Sequence, residues 1–218
     1  MTDKGYDETG DLLLDADLLR DTLDSALRTG GEFAEVFVED RRSTSALLDD
    51  GRVEELTSGR DRGAGIRVVA GETTGFAHTA NLTSTGLRRA AAAAAAAARS
   101  GGHGVREVHL SPDDSPSSAV VEVFPGEVPK ARKVALVQEA DAIARTEGDA
   151  ITQVLVRYGD SQRRIQVANS DGLLVGDRQV RTMFSVSCVA TGDAGMQTGR
   201  ESVGHTVGFE LFDRTDVG

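Results

Sequence analysis

Residues 34–39 read Ala-Glu-Val-Phe-Val-Glu, and this stretch decides the character of the fold. Apolar and polar side chains alternate with period two, which predicts a strand with one face in a core. The pattern continues over 41–48, turns at Asp49-Asp50-Gly51 and returns over 52–58, since glycine accepts the positive φ of a hairpin turn. Two further alternating segments, 63–69 and 73–78, complete a predicted meander.

Three helices are predicted around these strands, over about 15–30, 83–99 and 129–147. The first ends at Gly30-Gly31. The second contains the alanine run 90–98, which favours a helix and has no bulk, so we expect it to lie close against a sheet. The apolar stripe of the first helix is Leu18, Leu19, Thr22, Leu23, Ala26 and Leu27, and that of the third is Val134, Val137, Ala140, Ile143 and Ala144.

The second half of the chain repeats this order of elements. Strands are predicted over 105–110, 151–158, 163–168, 180–190 and 198–212, with a turn at 169–172. The fold class is therefore α+β, an antiparallel or mixed sheet with three main helices. Helix, strands, Asp-Gly turn and strands occur in both halves, so an internal duplication and two unrelated helix–meander segments are equally open.

The 218 residues are enough for one domain of ordinary size or two small ones. Residues 1–10 read as a flexible acidic tail, and 11–218 as the folded domain. Within it we expect two subunits, 11–110 and 129–218, joined by a Pro/Ser-rich connector over 111–128 that favours neither helix nor strand.

The charge excludes some functions. The chain has 24 Lys and Arg against 35 Asp and Glu, a formal charge of −11, and residues 1–50 hold 14 acidic and 5 basic residues. Nucleic-acid binding depends on clustered basic residues, so none is expected. The sequence contains no run of about 18 apolar residues, so no membrane span is predicted. The acidic N-terminus is unlike a signal peptide, and one cysteine permits no internal disulfide, so a cytoplasmic location is expected.

Motifs that carry chemistry are scarce. There is no GxxxxGK[ST] phosphate loop and no GxSxG nucleophile turn. The histidines at 78, 103, 109 and 205 match no common ligand spacing. Cys188 alternates onto the same face as Val186, which predicts a buried structural thiol. These residues predict no catalytic or metal-binding group.

Glycine-rich runs carry a family resemblance. The runs are Leu48-Asp49-Asp50-Gly51-Arg52-Val53-Glu54, Gly63-Ala64-Gly65-Ile66-Arg67-Val68, Gly71-Glu72-Thr73-Thr74-Gly75-Phe76-Ala77 and Val167-Ala168-Asn169-Ser170-Asp171-Gly172. Together they resemble the N-terminal domain of the TldD/PmbA (TldD/TldE) family, more closely the TldD branch. The resemblance extends from about residue 12 to 212.

The resemblance implies cytosolic zinc metallopeptidases that act on unfolded or peptide substrates and assemble as homo- or hetero-oligomers with a TldE/PmbA-like subunit. The family's zinc site is an HExxxH helix with a further Cys in a C-terminal domain. This sequence contains no His-Glu dipeptide, so we expect no cofactor in this chain, zinc in the absent C-terminal domain, and no activity of the chain alone.

Two functions follow. The first is the non-catalytic N-terminal half of such a metallopeptidase, which forms substrate-channel walls and subunit contacts. The alternative is a stand-alone, non-enzymatic binding or assembly module that pairs extended peptides with a sheet edge. A downstream HExxxH in the reading frame past Gly218 would favour the first, and a stop codon the second.

The candidate site residues lie in the glycine-rich runs. Gly63, Gly65, Gly71 and Gly75 are interpreted as positions of special backbone geometry. Arg67 alternates with Ile66, and it either faces a substrate channel or is solvated or salt-bridged.

Overall fold

Helices and strands follow one another much as the sequence predicts. The computed structural model describes residues 12–98, 108–112 and 120–214. Its helices are α1 (Ala16–Leu27), α2 (Ser84–Ala98), α3 (Lys130–Arg145) and a short α4 (Leu211–Arg214), with a 3-10 turn at Pro125–Glu127. The three predicted helices are confirmed. The first and third are shorter than predicted at both ends, α2 begins one residue later than predicted, and its predicted last residue, 99, lies outside the described residues.

The strands form one sheet. They are β1 (Phe33–Asp49), β2 (Arg52–Ala70), β3 (Thr73–Thr79), β4 (Ser111–Pro112), β5 (Ile151–Asn169), β6 (Leu173–Gly192) and β7 (Gly195–His205). Their order is β3-β2-β1-β5-β6-β4, with β7 also paired to β6. The β2–β3 and β6–β7 pairs are antiparallel, and the two-residue β4 runs parallel to β6. The predicted α+β class is confirmed.

Several predicted strand boundaries are wrong. The predicted breaks in the first half disappear, because β1 and β2 continue through polar stretches in which ladder hydrogen bonds, rather than burial, maintain the extended backbone. Likewise β5 replaces two predicted strands. The last strand ends at His205 instead of Phe212, since the chain then turns and buries Phe209 and Leu211. Residues 108–110 are not strand, and 105–107 lie outside the described residues.

The two halves share one strand order. The meanders β1-β2-β3 and β5-β6-β7 each follow a helix, and β1 lies beside β5. An internal duplication requires equivalent strand orders in the two halves, and the observed orders meet this requirement. The common origin of the halves stays a prediction. In the first hairpin, Asp50 (φ 47°) and Gly51 (φ 81°) make the turn. Arg145 of α3 binds Asp50 at 2.5 Å.

The chain divides into two compact units. Unit 1 comprises 1–40, 61–116 and 164–178, and unit 2 comprises 41–60, 117–163 and 179–218. The long strands β1, β2, β5 and β6 contribute residues to both, so neither unit is a contiguous stretch. The predicted tail 1–10 and residues 113–119 of the predicted connector lie outside the described residues.

Unit 1 has a core built around small side chains. Alanines of α2 pack against β3 and α1 as expected from the alanine run, and Leu19, Leu23 and Leu27 of α1 are buried. Leu18 is only partly buried. Small alanines let helix and strand backbones approach closely, so this core depends on backbone proximity more than on large side chains.

Unit 2 has a core with an aromatic cluster of Tyr158, Phe184, Phe209 and Phe212. The predicted buried face of α3 is partly wrong. Its buried residues are Lys133, Leu136, Val137, Ala140 and Asp141, whereas Ile143 is 43% exposed. Apolar spacing did not predict this face, because two of its inward residues are charged and have partners in unit 2.

Candidate functional site

Gly71 and Gly75 occupy places that demand special backbone geometry. Gly71 forms the β2–β3 turn with φ 57°, in the left-handed region that favours glycine. A Cβ on Gly75 would lie 1.9 Å from the carbonyl oxygen of Ala94 and 2.5 Å from the backbone nitrogen of Ala98. Thr73 Oγ1 donates a hydrogen bond to the Ala98 carbonyl at the same junction. Gly75 therefore allows α2 to lie directly on β3.

Gly63, Gly65 and Arg67 lie together on the face of β2 that points away from the unit 1 core. They alternate with residues 64, 66 and 68, whose side chains are buried in the unit 1 core. In the β2–β3 register Gly65 pairs with His78, and Arg67 pairs with Phe76. The glycine-rich run thus contributes to a sheet face that points away from the core.

Arg67 is held by a carboxylate and a ring from β1. Its Nη2 lies 3.3 Å from Oε1 of Glu35, and its guanidinium lies 5.4 Å from the centroid of the Phe33 ring. The arginine side chain is 46% exposed. Arg67 is therefore salt-bridged in the structure, and its place in a substrate channel stays a prediction.

A shallow groove of about 380 Å³ opens beside the Arg67–Glu35 ion pair, on the same outer face of β2. Phe76 forms part of its wall and is 61% exposed, with its ring over Gly65, where a Cβ would be 3.0 Å from Cζ. Because Gly65 has no side chain, the Phe76 ring can lie directly over it. The groove is lined by Phe37, Glu39, Asp61, Arg62, Gly63, Ala64, Gly65, Phe76, His78, Thr79 and Ala80.

The groove has more acidic than basic groups. Glu39 and Asp61 belong to its lining, and its single arginine, Arg62, lies 3.9 Å from the buried carboxylate of Asp40. His78 lies against Phe76, with ring centroids 6.4 Å apart. An aromatic wall with nearby carboxylates is a surface that attracts organic cations.

A second feature is a strand edge in unit 2. Every residue from Arg52 to Arg60 is exposed, on both faces of β2. The β3 register with β2 begins only at Ala64, and among the described strands β1 is the other neighbour of β2. Within the part of the chain that the structure describes, residues 52–60 therefore form an edge with backbone groups available for pairing.

Sequence reasoning missed a buried ionic cluster in unit 2. Lys133 Nζ lies 2.5 Å from Asp160 Oδ2, with side chains only 2% and 4% exposed. The Tyr158 hydroxyl donates to the same oxygen at 2.7 Å, and Lys133 also reaches Thr44 Oγ1 at 3.3 Å. Burial, followed by the Asp160 carboxylate, raises the pKa of Tyr158. The only available signal was a lysine at helical spacing from the apolar residues Leu136, Val137 and Ala140.

Glu210 is a second buried acid that the sequence did not reveal. It is 1% exposed, and its carboxylate accepts hydrogen bonds from the backbone N–H groups of Val123 and Gly208, each at 2.9 Å. Burial by itself raises the pKa of Glu210, but these bonds outweigh it and hold the pKa below its ordinary value. The carboxylate ties the segment after β7 to the segment before α3.

The described residues do not come together as a zinc site. No group of three or more His, Cys, Asp or Glu side chains comes together among the residues with described positions. His78 lies in unit 1 and His205 at the end of β7, while His103 lies outside the described residues. Cys188, predicted to be buried, is half-buried and packs against the unit 2 core. No described helix is long and apolar enough to cross a membrane.

Comparison with known proteins identifies the family. Residues 34–98 match the family description "PmbA/TldA metallopeptidase domain 1", and residues 124–218 match "PmbA/TldA metallopeptidase central domain". Together the two matches cover more than half of the chain, which therefore belongs to the TldD/PmbA family.

Relatives agree with this assignment. A "Metalloprotease" of Methanothermobacter thermautotrophicus is 30% identical over 186 residues, which are 85% of this chain and 40% of the relative. A "Metalloprotease TldD homolog" of Buchnera aphidicola is 25% identical over 185 residues, 85% of this chain and 38% of the relative. The chain thus spans about two fifths of the length of the curated relatives it matches.

Solved structures share the fold. The crystal structure of TldE from Thermococcus kodakarensis superposes with a TM-score of 0.72 at 14% identity, covering 87% of this chain and 43% of that one. At this identity the likeness concerns the fold alone.

Proposed function

We propose that this chain is the non-catalytic part of a TldD-like zinc metallopeptidase, which binds unfolded or extended peptides and forms walls of the channel that leads them to a catalytic domain. The observation that carries this proposal is the edge of β2 over residues 52–60. An extended peptide added there would form backbone hydrogen bonds that do not depend on its side chains. Such binding suits a peptidase whose substrates share no sequence.

The side chains of this edge favour binding of a peptide over aggregation by pairing with the sheet of another molecule. Arg52, Glu54, Glu55 and Arg60 place charges of both signs along it, while Val53 and Leu56 are 36% and 39% exposed. Charged side chains on an edge oppose uncontrolled pairing between sheets. A peptide with few charges would still find both backbone partners and apolar contacts.

A second edge is proposed for subunit contacts. β7 is exposed at every residue except the half-buried Val203, and it pairs with β6. Met183 and Met196 nearby are 64% and 71% exposed. Exposed methionines adapt to partner surfaces, so this hairpin is proposed to meet a TldE/PmbA-like subunit or a second copy, in the cytoplasm. The zinc chemistry of such an enzyme would come from residues outside this chain.

Peptide backbone chemistry tests the proposal. Binding of a fluorescent, unstructured peptide to the 218-residue chain is measured by anisotropy, alongside a sequence-scrambled peptide and two versions N-methylated at alternate residues. Strand addition predicts that scrambling changes little, whereas one of the two N-methylated sets abolishes binding, because it blocks the N–H groups facing β2. Equal binding of both methylated sets would contradict strand addition.

The alternative is a stand-alone peptide-binding or assembly module, favoured by the same edge. Peptide binding alone does not separate the two, so the second measurement is peptide cleavage. The chain with added zinc is expected to cleave nothing, and a mixture with a family catalytic domain is expected to cleave peptide only under the first proposal. Chelator-sensitive cleavage by the chain alone would contradict both.

A further inference from the structure

Backbone hydrogen bonds at both ends of β1 show which of its residues face β5. The Ala34 carbonyl accepts a hydrogen bond from the N–H of Ser170 at 2.8 Å, and the N–H of Asp50 donates to the Val154 carbonyl at 2.9 Å. Backbone groups alternate in direction along a strand, so the even-numbered residues of β1 turn theirs toward β5. Its odd-numbered residues therefore turn their N–H and C=O groups toward β2.

The pairing of β1 with β2 then assigns the backbone groups of the edge. Ser45 Oγ lies 2.6 Å from Thr57 Oγ1, and a Cβ on Gly59 would lie 3.8 Å from Ser43 Oγ. Odd-numbered residues of the two strands are thus opposite each other, and in this hairpin they bond to each other. The even-numbered residues 54, 56 and 58 therefore direct their N–H and C=O groups to the side of β2 that faces away from β1.

The helix α3 follows the same part of β2. Lys130 Nζ, at the start of the helix, donates a hydrogen bond to Ser58 Oγ at 2.8 Å, and Arg145, at its end, binds Asp50 at 2.5 Å. The helix rises about 22 Å between these two residues, and an extended chain covers about 26 Å from residue 58 back to residue 50. Because the two lengths are close, α3 runs beside β2 and opposite to it in direction.

An apolar pair lies between these two anchors. Val134 is one helical turn from Lys130, and Leu56 is two residues from Ser58, so both side chains lie where the helix and the strand meet. Leu56 is 39% exposed, and Val134 is half-buried. Ser58 and Glu54 limit the patch on either side of Leu56, which leaves room for one aliphatic side chain.

We propose that this edge binds an extended peptide antiparallel to β2, with one aliphatic side chain of the peptide against Leu56 and Val134. In an antiparallel pair, the peptide residue opposite Leu56 bonds to it through its N–H and C=O groups, and its side chain points to the same face, toward α3. The neighbouring peptide residues point away from the helix. The inference rests on the proposed peptide binding and adds a direction for the peptide and a preference for an aliphatic residue.

A polar, unstructured peptide with one central leucine tests the inference. Anisotropy compares it with the same peptide carrying glutamine in place of leucine, and the leucine peptide is expected to bind the 218-residue chain about tenfold more tightly. N-methylation of the leucine and of every second residue from it should abolish binding. Methylation of the residues between them should leave binding intact, because their N–H groups point away from β2.

Two matched variants locate the aliphatic contact. Leu56→Thr should remove most of the preference for leucine. Val53→Thr should retain it, because Val53 is exposed to a similar extent, 36%, but lies on the opposite face of β2. Threonine favours strands, so both variants keep the strand, and circular dichroism checks that each is folded.

The outcomes separate this inference from the proposed function. Equal binding of the leucine and glutamine peptides, a preference that survives Leu56→Thr, or loss of binding only with the other methylated set overturns the aliphatic site while strand addition stands. Binding of neither peptide defeats both proposals. Sedimentation shows whether a second copy takes the edge instead: a dimer that Leu56→Thr dissociates and that excludes the peptide would overturn the inference.

Discussion

Replacing Lys133 by Met should destabilise unit 2 by about 3–5 kcal/mol. The ammonium group lies 2.5 Å from Asp160, and the two side chains are 2% and 4% exposed. Methionine keeps most of the aliphatic stem, but it loses the ammonium group, which lies 5.5 Å from the centroid of the Tyr158 ring, and leaves the Asp160 carboxylate buried without its cation. An uncompensated buried charge, rather than lost packing, is therefore the main cost.

A double-mutant cycle isolates this cost. Asp160→Asn should be destabilising as well, and the double variant should cost about 2–3 kcal/mol less than the two single changes added, because it leaves no charge unpaired. Urea unfolding is followed by circular dichroism and by tyrosine emission, since the chain has 2 Tyr and no Trp.

Arg132→Ala is the matched control on the same helix. Its ion pair with Glu139 is exposed, so less than about 1 kcal/mol is expected. A Lys133→Met cost as small as the control's, or strictly additive costs, would refute the reasoning.

Three further predictions concern single groups. Gly75→Ala should lower the free energy of unfolding by more than about 2 kcal/mol in thermal unfolding, because its Cβ would meet the Ala94 carbonyl at 1.9 Å. Gly71→Ala, which has open space and φ 57°, should lower it by about 1 kcal/mol. Similar costs for the two variants would argue against close α2–β3 packing. Glu210 has a lowered pKa, so the stability it contributes is present above the ordinary carboxyl pKa and is lost as the pH falls through its own pKa. Glu210→Gln should cost about 1–2 kcal/mol at neutral pH and flatten the acid side of the stability profile, and an unchanged profile would contradict this role. Tyr158 has a raised pKa, so stability should fall as the pH rises above 10.0, where the unfolded chain releases the proton first. Tyr158→Phe should abolish that decline, and a decline that persists would assign it to other groups.

Patterns local in sequence predicted most of the elements. Period-two alternation located the strands, and the alanine run located α2, because each pattern reflects contact with one core face. Strand continuity was not predictable, since the residues between the two predicted segments, 59–62, are Gly-Arg-Asp-Arg and have no apolar alternation. The buried face of α3 was partly mispredicted for a related reason. Lys133 points inward toward Asp160, which is distant in the chain, whereas Asp141 pairs with Arg145 on the same helix.

The role of the candidate site residues stays a prediction. Of the five named from the sequence, Gly63, Gly65 and Arg67 lie on one outer face, while Gly71 lies in the β2–β3 turn and Gly75 under α2. Phe37 and Glu39 come close to Gly63 and Gly65 only through the pairing of β1 with β2. Neither segment taken alone predicts that proximity.

The sequence by itself determined the α+β class, the three helices and the family, because these depend on periodicity and on glycine positions that each segment carries within itself. Only the tertiary structure decided which strand edge is open, where the groove lies and which charges are buried. Those properties depend on side chains and backbones that are far apart in the chain and meet through strand pairing and packing. For this protein, the elements are local properties of the sequence, and the surfaces on which the proposed binding depends are properties of the fold.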